Sequence, residues 1–418
     1  MSQEEKNVKA ELCLHEHDHR ELNKKHHYYA QDEMIGAGLP LWLPAGVVIR
    51  DELEKLAREL EFLAHYQRVV SPHIAHEELY YQSGHLPYYE DSMFPAIELE
   101  NIRYRLRPMC CPHHHRIFAS GFKSYRDLPL RLAEYGQVYR YERSGVLSGL
   151  MRVRGLCQND AHIYCREDQV HAEIRKVLEM YQEAYRILGI SDYRLRLSKW
   201  DPQDESKYVP QPERWQWAEQ VLREVLQDLK WPFEEAVGEA AFYGPKIDVQ
   251  LKNIYGKEES ASTVQLDFAS SERFGLSYID EQGQPARPMI LHRAPLGSHE
   301  RMVSFLIEKY KGAFPLWLSP VQAMILPIAE RHQARAQEIA SALHNAFVRV
   351  EVDARVESLG KKIAEAQSRQ APYIVVIGDQ EVESGLLSVR RRDGGKAPAV
   401  PLEEFQAELM GKIRGRKF

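Results

Sequence analysis

Between Met151 and Cys165, side chains with chemical reach alternate with apolar ones. On a strand, residues of one parity share a face. Arg152, Arg154, Gln158, Asp160 and His162 would then project together: two guanidinium groups, an amide, a carboxylate and an imidazole. Leu156 and Tyr164 complete that face. A solvated face of an antiparallel sheet gives the same alternation. Against it stand flanks poor in Lys and Glu and a similar polarity on other expected strands. Arg140 shares a face with Glu142, Lys246 with Asp248 and Gln250, and Gln265 with Asp267. A sheet whose polar side is a binding floor is the second reading. Cys111, His162 and His292 are ligand types suited to zinc, and three protein ligands leave one position open. Their separations match no local zinc motif, and packing in a core is the plain alternative for a Cys or His. Arginines near a pocket suit phosphate or carboxylate. No Gly-rich phosphate loop follows a strand, so any nucleotide would be held by arginines on a sheet.

The elements that must position these residues are partly visible. Leu53, Leu56, Leu60 and Leu63 recur at helical spacing. A second helix is expected over about Gln169–Leu188, ended by Gly189 in the C′ position, and a third over about Glu213–Leu229. Strands are expected over Arg131–Glu142, Met151–Cys165, Phe242–Lys252 and Thr263–Phe268. After Phe314-Pro315-Leu316-Trp317-Leu318-Ser319-Pro320 the pattern becomes a regular alternation. It runs strand Val321–Pro327, helix Glu330–Ala346, strand Val348–Val352, helix Leu359–Gln370 and strand Tyr373–Ile377. That is an α/β unit of ordinary domain size, and a boundary is expected near Leu318. Residues 1–30 are polar and His-rich, as in a leading arm or short helix.

The 418 residues, 44% hydrophobic and 28% charged, exclude a disordered or fibrous chain and suggest two or three domains. No apolar run approaches the roughly 20 residues needed to span a bilayer, and no secretory signal is expected from Ser2-Gln3-Glu4-Glu5-Lys6. A net charge of −6 argues against a histone-like binder but leaves room for a local basic groove. Cys13, Cys110, Cys111, Cys157 and Cys165 are too few for a disulfide framework and fit a reducing cytoplasm.

Three segments resemble the motifs of class II aminoacyl-tRNA synthetases: Pro72 in Val69-Val70-Ser71-Pro72, Arg140-Tyr141-Glu142, and Gly297-Ser298-His299-Glu300-Arg301. Four more resemble the threonyl-tRNA synthetases in particular: Gly149-Leu150-Met151-Arg152-Val153-Arg154-Gly155, Asp160-Ala161-His162-Ile163, Phe242-Tyr243-Gly244-Pro245-Lys246-Ile247 and Leu291-His292-Arg293-Ala294. The likeness runs from about residue 18 to the C-terminus. It implies an α/β fold: a class II catalytic domain on an antiparallel sheet with flanking helices over 1–318, then an α/β anticodon-binding domain over 319–418. It implies activation of threonine with ATP and transfer to tRNA, in a cytoplasmic homodimer with one zinc per chain and Mg²⁺ accompanying ATP.

Residue by residue, the resemblance gives Cys111, His162 and His292 to zinc. Gln158, Asp160, Tyr243, Gln265 and Ser298 would form the amino-acid pocket. Arg140 and Arg152 would clamp the α-phosphate and carboxylate. Arg301 would stack on adenine, with Glu142 and Leu156 also on the nucleotide side, and His85 would assist transfer. Glu381 and Arg390 match base-contacting positions of the anticodon domain. The sequence departs from the family at several places. Cys110-Cys111-Pro112-His113-His114 stands for Asn-Cys-Pro-Gly-His, Leu156 for an aromatic residue, and Asn159-Asp160 for an acidic pair. Val356, Ser358, Ala364 and Gln370 replace Asn and basic residues, with Lys361, Lys362 and Arg369 available to restore the charge. From the length, the N-terminal domains of full-length members, an editing domain among them, are not expected. The rival readings are a paralogue serving another acceptor or acting as a resistant second copy, and a non-catalytic synthetase-derived binding protein.

Overall fold

The computed structural model describes residues 15–204, 206–395 and 398–417. Of the expected leading arm, residues 1–14, including Cys13, lie outside these. The rest forms a helix, His19–His26, capped by the Asp18 carboxylate, which accepts the Arg20 N–H at 2.7 Å. Contacts divide the chain into two units. One contains Gln31–Pro40 and Leu53–Ser304. The other contains the described residues of Met1–Ala30, Leu41–Glu52 and Phe305–Phe418.

The first unit is built on an eight-stranded sheet. Its strands in chain order are β1 Gln67–Arg68, β2 Leu130–Tyr139, β3 Gly155–Cys165, β4 Arg194–Lys199, β5 Phe233–Val237, β6 Lys246–Lys252, β7 Glu258–Asp267 and β8 Met289–Ala294. Across the sheet they run β5-β4-β6-β7-β8-β3-β2-β1. The six central strands are antiparallel; β5 and β1 add parallel edges. Register is what assembles the polar face. Lys246 pairs with Gln265, Gln265 with His292, and His292 with His162, so four side chains stand in one row across four strands. Residues of the other parity, such as Ile247, Val264, Leu266 and Leu291, are fully buried. The helices Val170–Ile187 and Pro212–Asp228 pack on the sheet. Gly189 takes φ 62°, as its place after the first of these requires.

Several expected strands are shorter than their alternation suggested, β6 among them, which begins at Lys246 and not at Phe242. β3 begins at Gly155, because Gly149 (φ 50°) starts a turn in which the Met151 N–H donates to the Ser148 carbonyl at 2.8 Å. The Arg154 N–H is taken by the Gly38 carbonyl at 2.7 Å. Arg152 and Arg154 therefore lie outside the strand whose face they were expected to share. β2 ends at Tyr139, so Arg140 and Glu142 follow it in a loop.

The second unit carries a four-stranded sheet of β9 Ala323–Pro327, β10 Val350–Val352, β11 Tyr373–Ile377 and β12 Ser388–Arg391, ordered β10-β9-β11-β12. The first three strands are parallel and β12 runs against β11. Helices Gln333–Asn345 and Leu402–Arg414 supply Ile339, Leu343, Phe405 and Leu409 to a core with Ile325, Val375 and Ile377. The expected alternation is realised, with the antiparallel β12 as an addition.

Gly136 on β2 marks a close approach. A Cβ there would lie 2.0 Å from Cys110 Sγ. Gly136→Ala is expected to cost about 1–3 kcal/mol through overpacking. Gly145→Ala, which meets nothing within 4 Å, should change stability by no more than about 0.5 kcal/mol. Urea unfolding of both variants checks the pair.

Candidate active site and metal centre

Three segments remote in sequence bring one donor each to a common point. Cys111 is the first residue of the helix Cys111–Ala119, His162 lies on β3 and His292 on β8. Their ligand atoms lie within 4.8 Å of one another, and all three residues are buried. The outer nitrogens of both imidazoles are engaged. His292 Nε2 is 2.9 Å from the Asp267 carboxylate, and His162 Nδ1 is 2.8 Å from His114 Nδ1. His114 Nε2 is in turn 3.0 Å from Glu134 Oε2.

Glu134 fixes the sense of this chain. Burial alone would raise its carboxyl. Hydrogen bonds from His114 and Ser71 and the Arg107 charge outweigh that and bring it down to about 2. As an anion it accepts from His114 Nε2–H, and in the neutral ring that leaves the lone pair on His114 Nδ1. That lone pair accepts from His162 Nδ1–H, which leaves His162 Nε2 as the free donor atom. By the same logic His292 Nε2–H donates to Asp267 and leaves Nδ1. Burial works against the Asp267 anion too, yet hydrogen bonds from His292 and Ser270 hold it below the usual carboxylate range. Burial pushes the Cys111 thiol well up and the His162 ring down. Two imidazoles and a thiol that a cation would hold as thiolate form a donor set suited to a zinc-class ion. Cys110 instead packs with Val138, Val153 and Leu156.

The triad lines a cavity of about 640 Å³. Gln158, Asp160, Tyr243, Gln265 and Ser298 line it, as do Leu156, Arg140 and Arg301. The Tyr243 hydroxyl donates to Gln265 Oε1 at 2.5 Å, and its ring stacks on His292 with centroids 4.8 Å apart. Asp160 is pushed up by burial, with nearby His114, His292 and Arg293 opposing. Arg140 Nε donates to the Pro108 carbonyl at 3.2 Å, and Arg301 Nη1 to the Ser260 carbonyl at 2.8 Å. Burial lowers the Arg301 guanidinium; Glu259 opposes this, while the Arg140 and Arg152 charges add to it. Arg140 and Arg301, both lining the cavity, favour an anionic occupant.

Other expected residues stand apart. Arg152 is ion-paired with Glu142 at 2.9 Å, and neither lines the cavity. His85 is buried, its Nδ1 2.7 Å from Ser83 Oγ and its Nε2 3.2 Å from the sulfur of Met109, a lining residue. Burial brings its ring down to about 3. Glu381 and Arg390 belong to the second unit: Glu381 accepts the Gly378 N–H at 2.9 Å and the Ser388 hydroxyl at 2.5 Å, and Arg390 lies on β12. Sequence reasoning missed the Arg107–Glu134–His114 chain. The adjacent histidines at 113–115 were the one available signal.

The family described as the tRNA synthetase class II core domain (G, H, P, S and T) matches residues 96–310, and an anticodon binding domain matches residues 322–412. The RNA binding domain of threonyl-tRNA synthetase from Cryptosporidium parvum Iowa II superposes with a TM-score of 0.89 at 34% identity, over 94% of this chain and 98% of that one. The chain belongs to the class II tRNA synthetases, on their threonyl branch. The threonine–tRNA ligase of Anoxybacillus flavithermus is 46% identical over 400 residues, 96% of this chain and 62% of its own length. That of Staphylococcus epidermidis is 45% identical over 420 residues, 99% and 65% respectively. The chain thus spans less than two thirds of these curated relatives. The class II core match contains every residue of the cavity lining except Tyr88 and Tyr89, and the anticodon-binding match contains Glu381 and Arg390. No described helix of this synthetase-family chain is long and apolar enough to cross a membrane.

His114→Ala removes the hydrogen-bond acceptor that sets the His162 tautomer. Affinity for a divalent cation at the triad is expected to fall about 10–100-fold, read by competition against a chelator. His113, outside the relay, serves as control. Equal affinity in His114→Ala and wild type would show that His114 does not orient the ligand.

Proposed function

We propose that the chain activates threonine with ATP, forming threonyl-adenylate and pyrophosphate, and transfers the threonyl group to tRNA(Thr). The observation that carries this reading is that a Cys–His–His donor triad and the arginines Arg140 and Arg301 line one cavity. Zinc held by Cys111, His162 and His292 would supply a Lewis-acid position for a substrate with amino and hydroxyl groups on neighbouring carbons.

Asp160 and Gln158, adjacent on the same strand face, would take the substrate hydroxyl and amino hydrogens. Tyr243, fixed by Gln265, would close the pocket against the His292 ring. Arg140 would bring the substrate carboxylate to the α-phosphorus of ATP, where an in-line displacement releases pyrophosphate. Charge neutralisation by Arg140, Arg301 and the Mg²⁺ carried by ATP lowers the barrier, with no covalent nucleophile required. Arg152 would join once substrate competes for its Glu142 partner. His85, neutral and behind Met109, would act in transfer after that side chain yields. A pocket that recognises the hydroxyl rejects valine strongly. Serine lacks only a methyl group and is disfavoured by about 1–3 kcal/mol.

A homodimer is part of this reading. Phe62, Leu63 and Val70 are 79%, 75% and 88% exposed, apolar side chains that a second copy would cover. A second reading, a paralogue with another acceptor, draws on the anticodon domain. Val356 is 99% exposed, and Ser358 is spent as the cap of the helix Leu359–Ser368. The cations that could restore charge are engaged. Lys362 is buried and donates to the Pro327 and Asp353 carbonyls, Lys361 pairs with Glu357, and Arg369 pairs with Glu351.

The test is threonine-dependent ATP–pyrophosphate exchange followed by tRNA charging. Cys111→Ala is expected to lose both zinc and exchange, while Cys110→Ala keeps them. Zinc retained in Cys111→Ala and lost in Cys110→Ala would overturn the ligand assignment; absent exchange in the wild type would overturn the activity.

Charging should also tolerate anticodon changes. Each missing base contact removes on the order of 1–3 kcal/mol of discrimination. Kinetics on threonine tRNA with altered anticodons measure this, and a steep loss would reject it. Exchange without charging of any tRNA would favour the second reading.

A further inference from the structure

β3 has a second face. Alternate residues Leu156, Gln158, Asp160 and His162 line the cavity, so Cys157 projects to the opposite side. There it meets Glu54, from the helix Pro44–Leu63, and His299, the first residue of the helix His299–Tyr310. One carboxylate oxygen, the thiol sulfur and one ring nitrogen lie within 4.8 Å of one another. Cys157 and His299 are fully buried, and the Glu54 side chain is 14% exposed. The His299 Nδ1 lies 3.5 Å from Glu54 Oε1.

The surroundings fix these donors. The Cys157 N–H donates to Glu300 Oε2 at 3.0 Å, tying the strand to the residue after His299. The Tyr135 ring packs on the His299 ring with centroids 5.5 Å apart, and its hydroxyl donates to the Glu54 carbonyl at 2.8 Å. Arg58 reaches the other Glu54 carboxylate oxygen at 3.1 Å. A thiolate, a carboxylate and a neutral imidazole carry a formal charge that a divalent cation offsets. Their mixed sulfur, nitrogen and oxygen character suits a zinc-class ion, with the partly exposed Glu54 edge as the way in.

We propose that Glu54, Cys157 and His299 form a second binding site for a zinc-class divalent cation, behind the cavity floor. Cys157 lies between Leu156 and Gln158, and His299 follows Ser298 and precedes Arg301 by two residues; all four of these neighbours line the cavity. An occupant would therefore hold the backbone of the floor from behind. The site stands independently of the Cys111 centre.

The experiment uses the full chain in a Cys13→Ser background, stripped with a chelator and reloaded with cobalt or zinc. Metal analysis after gel filtration should give two equivalents in this parent, and one in each of Cys157→Ser, His299→Gln and Glu54→Gln. Cobalt–thiolate absorption should persist in Cys111→Ala and vanish when Cys157→Ser is added. A metal content unchanged from the parent in both Cys157→Ser and His299→Gln overturns the proposal, whether the parent holds one equivalent or two. One equivalent in the parent, removed by Cys157→Ser but kept in Cys111→Ala, would uphold this site and reject the Cys111 centre instead.

Discussion

Glu134 is a buried anion, and the arrangement of the cavity depends on keeping it satisfied. Its two oxygens accept from the Ser71 backbone and hydroxyl, from Arg107 and from His114. Those partners come from a loop after β1, the chain leading into the helix Cys111–Ala119, and that helix itself. Removing one partner of a buried charge typically costs about 3–5 kcal/mol, so four segments are held in one relation. The helix that carries Cys111 is placed by the same contact that sets the His114 tautomer. Position and protonation of the metal centre thus share a single cause.

How much of this was legible depends on range. The alternation around Gln158, Asp160 and His162 put them on one face, since strand geometry makes period two a local property. That His162 would stand beside His292 and Gln265 was beyond reach, because register is set by pairing across more than a hundred residues. Arg152 was misread for the opposite reason. The polar alternation continued through it, while Gly149 supplied a turn that periodicity does not register. Glu134 was invisible because a Glu on an alternating strand looks solvated until Arg107 and His114 are seen around it. The family resemblance supplied the ligand triad that spacing alone left open.

In the second unit the α/β alternation was fully readable, yet the charges were not. Lys362 follows Lys361 in a helix with a moderately polar surface, and nothing local distinguishes them. The structure buries one and exposes the other. Lys362 satisfies the carbonyls of Pro327 and Asp353, at and just beyond the ends of β9 and β10. A lysine doing that is a structural cation, and counting it as available to nucleic acid overstates the positive surface. This inward role makes the neutral residues at 356, 358, 364 and 370 harder to compensate.

β3 shows the general constraint most plainly. A strand in the middle of a sheet has no idle side. Its cavity face carries Gln158, Asp160 and His162, while its other face carries Cys157 and Asn159, the latter donating to Glu61 at 2.9 Å. On that second face the polar groups must find protein partners, because Cys157 and Asn159 are fully buried. A change at Cys157 or Asn159 therefore acts on the cavity without entering it. The chain is stiff between adjacent residues, and the groups that bind substrate are only one position away.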